Sequence, residues 1–134
     1  MRDVADNTRE RSLWAWGWAD KFPDDTARAG LVQLGKALIP TASPSLRELP
    51  REPTLPAGNV TLPDAIADFA SRDPRDRAMH TRGRAFPDLV AGFGGDYHTG
   101  PDLVVRPRTD EEVARVLEVA QDKDWVVVPF GGGT

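Results

Sequence analysis

The chain has 134 residues and a net charge of −4, which allows one ordinary domain and disfavours a nucleic-acid-binding protein, because such proteins need a basic patch. It contains no cysteine, so disulfides, thiolate metal sites and cysteine nucleophiles are excluded. The sequence shows no signal peptide and no apolar run of about 20 residues, and we therefore expect a cytoplasmic location.

The segment 13–18 places a tryptophan at every second position, at Trp14, Trp16 and Trp18. We expect these rings to pack against the rest of a larger protein. An interfacial membrane anchor is the alternative, because tryptophan favours the boundary between membrane and water. The flanking charges are mixed in sign, however, and no strongly basic face is present, so packing is favoured.

Apolar spacing and proline positions predict the next elements. A helix is predicted from Asp25 to Leu38, because leucines recur at spacings of three and four and Ile39-Pro40 ends the pattern. Residues 40–63 contain six prolines and are expected to form an extended connector.

Shorter elements are predicted between the connector and the last third of the chain. A short helix is expected over residues 63–71, with an apolar face made of Ala65, Ile66 and Phe69. Residues 73–76 have the composition of a turn, and residues 87–93 are expected to form one or two helical turns. The glycines that follow, up to residue 100, predict a loop.

The last third of the chain predicts a strand, a helix and a second strand. Residues 103–105 form a short apolar run between prolines, and residues 125–128 form another. Thr109, followed three residues later by Glu112, fits a capping box that begins the helix. The helix has an apolar face of four residues: Val113, Val116, Leu117 and Ala120. A crossover of this length predicts two parallel strands with a right-handed connection.

A glycine-rich stretch follows the second predicted strand: Pro129, Phe130, Gly131, Gly132, Gly133 and Thr134. Glycines have no Cβ to hold a ligand away from the backbone and adopt positive φ at little cost, so successive N–H groups can converge on an anion. We therefore predict a phosphate or pyrophosphate site beyond the carboxyl end of the strand. A simple strand-ending turn is the alternative, since the stretch is neither GxGxxG nor a P-loop.

Three segments resemble known flavoproteins. Pro101–Thr134, with a strand, a capped helix, a second strand and the glycine-rich stretch in this order, resembles the start of the FAD-binding domain of the vanillyl-alcohol-oxidase/PCMH superfamily. Arg11–Trp18 and Asp76–Val90 are similar to the N-terminal region of alkyldihydroxyacetonephosphate synthases and their bacterial homologues.

The resemblance implies an α+β fold. Residues 1–100 would form a helical and loop-rich N-terminal region, and residues 101–134 would form the first βαβ unit of a PCMH-type FAD-binding domain. It implies that residues 129–134 contact the FAD pyrophosphate, and it implies no catalytic residue within the chain. No histidine-rich metal site is expected, because His80 and His98 stand far apart in the sequence. We expect the chain to be the N-terminal part of a longer FAD-dependent enzyme, and the 134 residues alone to bind FAD poorly and to be inactive.

The resemblance also implies a small-molecule substrate for the complete enzyme. The reaction would exchange an acyl group for an alkyl group on a glycerone phosphate, as in ether-lipid synthesis, or would oxidise an alcohol or a 2-hydroxy acid. Because no histidine is near the glycine-rich stretch, we expect non-covalent FAD. A homodimer is left open. The alternative function is a non-catalytic interaction or structural module that uses exposed tryptophans and an unpaired sheet edge.

Polar residues outside the glycine-rich stretch are expected to be structural. His80 and Arg82 are the best candidates for a polar function, against a favoured alternative in which they are a hydrogen-bonded structural pair or surface residues. His98 lies in a glycine-rich loop and is expected at the surface. The acidic residues 110–112 are explained by capping and the helix dipole rather than by a metal site.

Overall fold

The computed structural model describes residues 9–49 and 53–133. Their elements follow in this order: a 3-10 helix Ala19–Lys21, α1 Asp25–Leu38, a 3-10 helix Asp64–Phe69, β1 Ala70–Ser71, α2 Pro74–Met79, α3 Phe86–Phe93, β2 Val104–Val105 and α4 Asp110–Asp122. The mixture of helices with a small sheet confirms the predicted α+β class.

Helix α1 has the bounds that the sequence predicts. The Asp24 carboxylate accepts a hydrogen bond from the Ala27 N–H at 2.8 Å and so caps the first turn. Its negative charge also interacts favourably with the positive end of the helix dipole. Leu31, Leu34 and Leu38 lie on the predicted common face, and all three are exposed.

Helix α4 begins at a capping box, as predicted. The Thr109 hydroxyl accepts a hydrogen bond from the Glu112 N–H at 3.2 Å, and the Glu112 carboxylate in turn accepts one from the Arg108 N–H at 2.5 Å. The carboxylate thus reaches one residue further back than the standard box, which uses the N–H of the capping residue itself. Asp110 and Glu111 complete an acidic first turn, which the helix dipole stabilises.

The small sheet differs from the prediction. Strand β2 pairs with β1 in an antiparallel arrangement, with Ala70 opposite Val105 and Ser71 opposite Val104. The predicted parallel pair between residues 103–105 and 125–128 is therefore wrong for the part of the chain that the structure describes. The apolar pattern correctly indicated extended segments, but it carries no information about a partner as short and weakly apolar as Ala70-Ser71.

Residues 125–130 leave α4 through a Schellman motif. The Trp125 N–H donates to the Ala120 carbonyl at 2.8 Å, and Asp124 adopts the left-handed conformation, with φ 54°, that glycine usually occupies here. The chain then runs on without helix or strand pairing, and Val126 and Val128 are exposed. This segment therefore presents an apolar edge that the described residues do not cover.

The predicted short helix at 63–71 is a 3-10 helix that ends in β1. Ile66 and Phe69 are buried as predicted, whereas Ala65 is exposed because the 3-10 helix has three residues per turn. The predicted turn at 73–76 is instead the start of α2. Proline suits the first position of a helix, and the Asp73 carboxylate caps α2 by accepting from the Asp76 N–H at 2.9 Å.

The buried core joins the N-terminal segment to α2 and to the loop after α3. Leu13, Ala78 and Tyr97 form its centre, and Trp14 packs against it. The predicted helical turns at 87–93 are confirmed as α3. The Tyr97 hydroxyl donates to the Gly92 carbonyl at 3.1 Å, so burial of the ring does not leave its polar end unsatisfied.

The alternating tryptophans have three different environments. Trp14 meets two phenylalanine rings edge-to-face, with centroid distances of 4.4 and 5.0 Å, and Trp18 lies beneath two arginine guanidinium groups. Trp16 is exposed, although its indole N–H donates to the Arg84 carbonyl at 3.2 Å. Packing therefore accounts for two of the three rings. Among the described helices, none has the length and apolarity required to cross a membrane.

Candidate cofactor-binding site

The glycine-rich stretch lines an open cleft of about 410 Å³. Its walls are residues 129–133 on one side and Gly83 on the other. The structure therefore gathers five of the six predicted site residues on one cleft, at the end of the extended segment 125–128. Thr134, the sixth, lies outside the described residues.

Gly131 and Gly132 leave the backbone open towards the cleft. A Cβ built on either glycine would meet no atom within 4 Å. Among the described residues, no acceptor receives a hydrogen bond from the N–H groups of residues 131–133. Exposed amides without partners are the donors that a bound anion requires.

Gly133 is the last residue of the glycine-rich stretch that the structure describes. Its φ of +72° is a conformation that residues with a side chain rarely adopt, and a Cβ at this position would lie 2.8 Å from Cζ of the Phe130 ring. The phenylalanine ring thus folds back over Gly133. The three glycines therefore differ: Gly133 adopts a conformation that favours glycine, whereas Gly131 and Gly132 leave open space beside the backbone.

Gly83 is a site residue that the sequence analysis missed. A Cβ on Gly83 would lie 2.9 Å from the Gly133 carbonyl oxygen and 3.0 Å from an Asp88 carboxylate oxygen. The absence of a side chain therefore lets the two walls of the cleft approach each other. The only sequence signal was a glycine between two arginines in the segment 76–90.

His80 connects the cleft to the sheet. Its ring centroid lies 4.7 Å from that of Phe130, and its Nδ1 lies 2.7 Å from the Asp76 carbonyl oxygen. The Asp76 carboxylate binds both terminal nitrogens of Arg106, next to β2. The expectation that no histidine is near the glycine-rich stretch is therefore wrong, because residues 50 positions apart in the sequence meet here.

Curated relatives match about half of the chain. A stretch of 73 residues, 54% of the chain, is 37% identical to an alkyldihydroxyacetonephosphate synthase of Dictyostelium discoideum, and 62 residues, 46% of the chain, are 37% identical to that of Trypanosoma brucei brucei. A solved structure of an alkyldihydroxyacetonephosphate synthase superposes on 69% of the chain with a TM-score of 0.51 and 27% identity. This chain matches a part of alkyldihydroxyacetonephosphate synthase. No protein-family profile matches the chain.

The match to alkyldihydroxyacetonephosphate synthase is partial. The chain spans about a tenth of the length of the curated relatives, 11% and 10% respectively, and 18% of the solved structure. A second solved alkyldihydroxyacetonephosphate synthase aligns with 92% of this chain and 28% of its own, with a TM-score of 0.65 at 22% identity, and so shows the shared fold.

The arginines in the segment that resembles alkyldihydroxyacetonephosphate synthase support the fold. Arg82 is paired with the Asp96 carboxylate, and Arg84 donates to the Ala15 carbonyl at 2.8 Å. Burial lowers the pKa of Arg84 from its ordinary value. Arg82 therefore forms a structural ion pair, although with Asp96 and not with His80. His98 is exposed, as predicted, and its Nε2 lies 2.6 Å from the Asp96 carboxylate.

No metal site is apparent where the structure describes the chain. Within residues 9–49 and 53–133, no three histidine, aspartate or glutamate side chains are grouped so as to hold a metal ion. The acidic residues 110–112 serve the first turn of α4, as described above.

The Asp76–Arg106 pair gives a pH-dependent contribution to stability. The hydrogen bonds from Arg106 hold the pKa of Asp76 below its ordinary value of 3.8. A lowered folded-state pKa adds stability above the unfolded-state pKa, and that stability is lost as the pH falls through the folded-state pKa. We expect Asp76→Asn to lower the free energy of unfolding by about 1–2 kcal/mol at pH 7, because Arg106 is half-exposed and its charge is screened.

Thermal unfolding of the wild type and Asp76→Asn between pH 7 and pH 3 tests this expectation. The difference in unfolding temperature is expected to stay constant down to about pH 5 and to shrink below about pH 4. Asp68→Asn, which removes an exposed carboxylate, is the matched control. The difference in unfolding temperature between this variant and the wild type is expected not to change with pH. A difference that stays constant down to pH 3 would rule out the contribution assigned to Asp76.

Proposed function

We propose that this chain is part of an FAD-dependent enzyme related to alkyldihydroxyacetonephosphate synthase, in which residues 129–134 hold the FAD pyrophosphate. The observation that carries the proposal is the open backbone of Gly131 and Gly132 at the cleft. In this proposal residues 101–134 begin the FAD-binding domain, residues 1–100 form the N-terminal region that packs on it, and the enzyme is cytoplasmic.

The cleft suits a diphosphate for two physical reasons. The volume of about 410 Å³ accommodates a pyrophosphate together with part of its neighbouring groups. The exposed amides supply hydrogen-bond donors without a cationic side chain. The Asp88 carboxylate, which would repel phosphate, lies 3.0 Å from a Cβ built on Gly83, so the favourable position for the anion is beside Gly131 and Gly132.

The described residues bind and orient the cofactor. The flavin ring, when bound, would supply the chemistry of the complete enzyme that these residues lack. The reaction that we propose is exchange of an acyl for an alkyl group on a glycerone phosphate, with oxidation of an alcohol or a 2-hydroxy acid as the alternative. We propose non-covalent FAD, because the His80 side chain already has partners within the protein. Its Nδ1 donates a hydrogen bond to the Asp76 carbonyl, and its ring faces Phe130.

Gly132 provides the test of this proposal. In the protein expressed from the complete reading frame that encodes this chain, we expect Gly132→Leu to reduce FAD retention by about 10-fold or more, because the side chain would occupy the position of the phosphates. Nothing lies within 4 Å of a Cβ at Gly132, so the new side chain begins in open space beside the cleft. Flavin content is measured from the visible absorption spectrum after purification and soaking with FAD.

Gly30→Leu is the matched control. Gly30 is an exposed residue of α1, and a Cβ there also meets nothing within 4 Å. Its flavin content is expected to equal that of the wild type. Retention of wild-type flavin by Gly132→Leu would show that the glycine-rich stretch is not the pyrophosphate site.

A non-catalytic interaction module is the second candidate function. It is favoured by one observation, the exposed apolar face of α1 made of Leu31, Leu34 and Leu38. This candidate predicts no flavin in the protein from the complete reading frame, even after soaking with FAD. A flavin spectrum in that protein would exclude it as the sole function.

A further inference from the structure

His80 has fixed partners on both sides. A carbonyl oxygen only accepts hydrogen bonds, so the contact of 2.7 Å between Nδ1 and the Asp76 carbonyl places a proton on Nδ1. The Asp76 carboxylate lies 3.5 Å from the same nitrogen. These contacts with the first turns of α2 set the orientation of the imidazole ring before any ligand binds.

The other side of the imidazole ring faces the glycine-rich stretch. The ring is tilted by 59° against Phe130, which in turn covers Gly133. Phe130 is therefore held between His80 and the backbone of its own loop. Three consecutive glycines have high conformational freedom, and a loop that must be ordered on binding loses affinity.

We infer that His80 is a positioning residue, which holds the glycine-rich stretch ready for a phosphate-bearing ligand through its contact with Phe130. The inference rests on the function proposed above. It assigns two separable tasks to one side chain: the ring packs on Phe130, and Nδ1 fixes the orientation of the ring through Asp76.

Two substitutions separate these tasks. His80→Phe keeps an aromatic ring against Phe130 and loses the hydrogen bond, whereas His80→Gln keeps a hydrogen-bond donor and loses the ring. In the protein from the complete reading frame, His80→Ala is expected to raise the dissociation constant for FAD by about 2- to 10-fold, the range that aromatic pairs provide. His80→Phe is expected to restore most of the wild-type affinity, and His80→Gln is not.

A second measurement does not depend on FAD. The NMR order parameters of the amides of residues 131–133 in the FAD-free protein are expected to be lower in His80→Ala than in the wild type, because the loop loses its contact with the imidazole ring. His98→Ala is the matched control, because His98 is an exposed histidine that contacts Asp96 rather than the glycine-rich stretch. It is expected to change neither the dissociation constant nor the order parameters.

The two measurements distinguish failure of the inference from failure of the proposed function. If the wild type binds FAD and His80→Ala binds it equally well, the inference is overturned and the proposed function stands. Equal rescue by His80→Gln and His80→Phe would also overturn it, because ring packing would then not matter. If the wild type binds no FAD, the proposed function fails, and unchanged order parameters in His80→Ala would overturn the inference as well.

Discussion

Gly83→Val is expected to raise the dissociation constant for FAD by about 10- to 100-fold in the protein from the complete reading frame. A Cβ at Gly83 would lie 2.9 Å from the Gly133 carbonyl, and backbone atoms cannot move aside as the end of a flexible side chain can. The glycine-rich stretch must then shift as a unit. Overpacking of this kind costs about 1–3 kcal/mol, and a displaced glycine-rich stretch no longer aligns its N–H groups with the phosphates.

The matched control is Gly58→Val. A Cβ at Gly58 would lie 2.9 Å from the Asp102 carbonyl, so the steric conflict is of the same kind but lies outside the cleft. Both variants are expected to unfold at lower temperature than the wild type, and only Gly83→Val is expected to lose FAD affinity. Equal affinity loss in the two variants would mean that general destabilisation, and not the cleft, accounts for the effect.

Contacts between residues close in sequence were predictable. The cap of α4 follows from Thr109, because a side-chain oxygen there meets an N–H three residues ahead whatever the rest of the fold does. The glycine-rich stretch was predictable for the same reason. Its open backbone is a property of Gly131 and Gly132 themselves.

Contacts between distant residues were not predictable from the sequence pattern. Strand β1 has only two residues, and its pairing with β2 depends on how the chain folds between positions 71 and 104. The same is true of Gly83 and His80, which reach residues 130–133 only in the folded chain. Residue type marked His80 as a candidate for a polar function, but its contact with Phe130 is non-polar and gives no periodic signal.

Arg77 is expected to show the largest effect on stability. It is 6% exposed, and its guanidinium donates to the Pro101 carbonyl at 2.6 Å and the Pro56 carbonyl at 2.9 Å. These contacts hold the proline-rich connector and the segment before β2 onto α2. Arg77→Met leaves both carbonyls without this donor. It is expected to lower the free energy of local unfolding by about 2–4 kcal/mol, a value that already includes the desolvation cost that disappears with the buried charge.

Hydrogen exchange of the Asn59 amide measures this local unfolding, because that N–H donates to the Asp102 carboxylate at 2.6 Å and so spans the two segments that Arg77 joins. Arg72→Met is the matched control, since Arg72 also donates to a backbone carbonyl, that of Val60 at 2.8 Å, but is exposed. It is expected to cost less than about 1 kcal/mol, because water replaces the lost donor. Similar exchange rates in the two variants would mean that burial does not make the Arg77 hydrogen bonds more stabilising than those of exposed Arg72. The connector would then be held by the Asn59–Asp102 hydrogen bond instead.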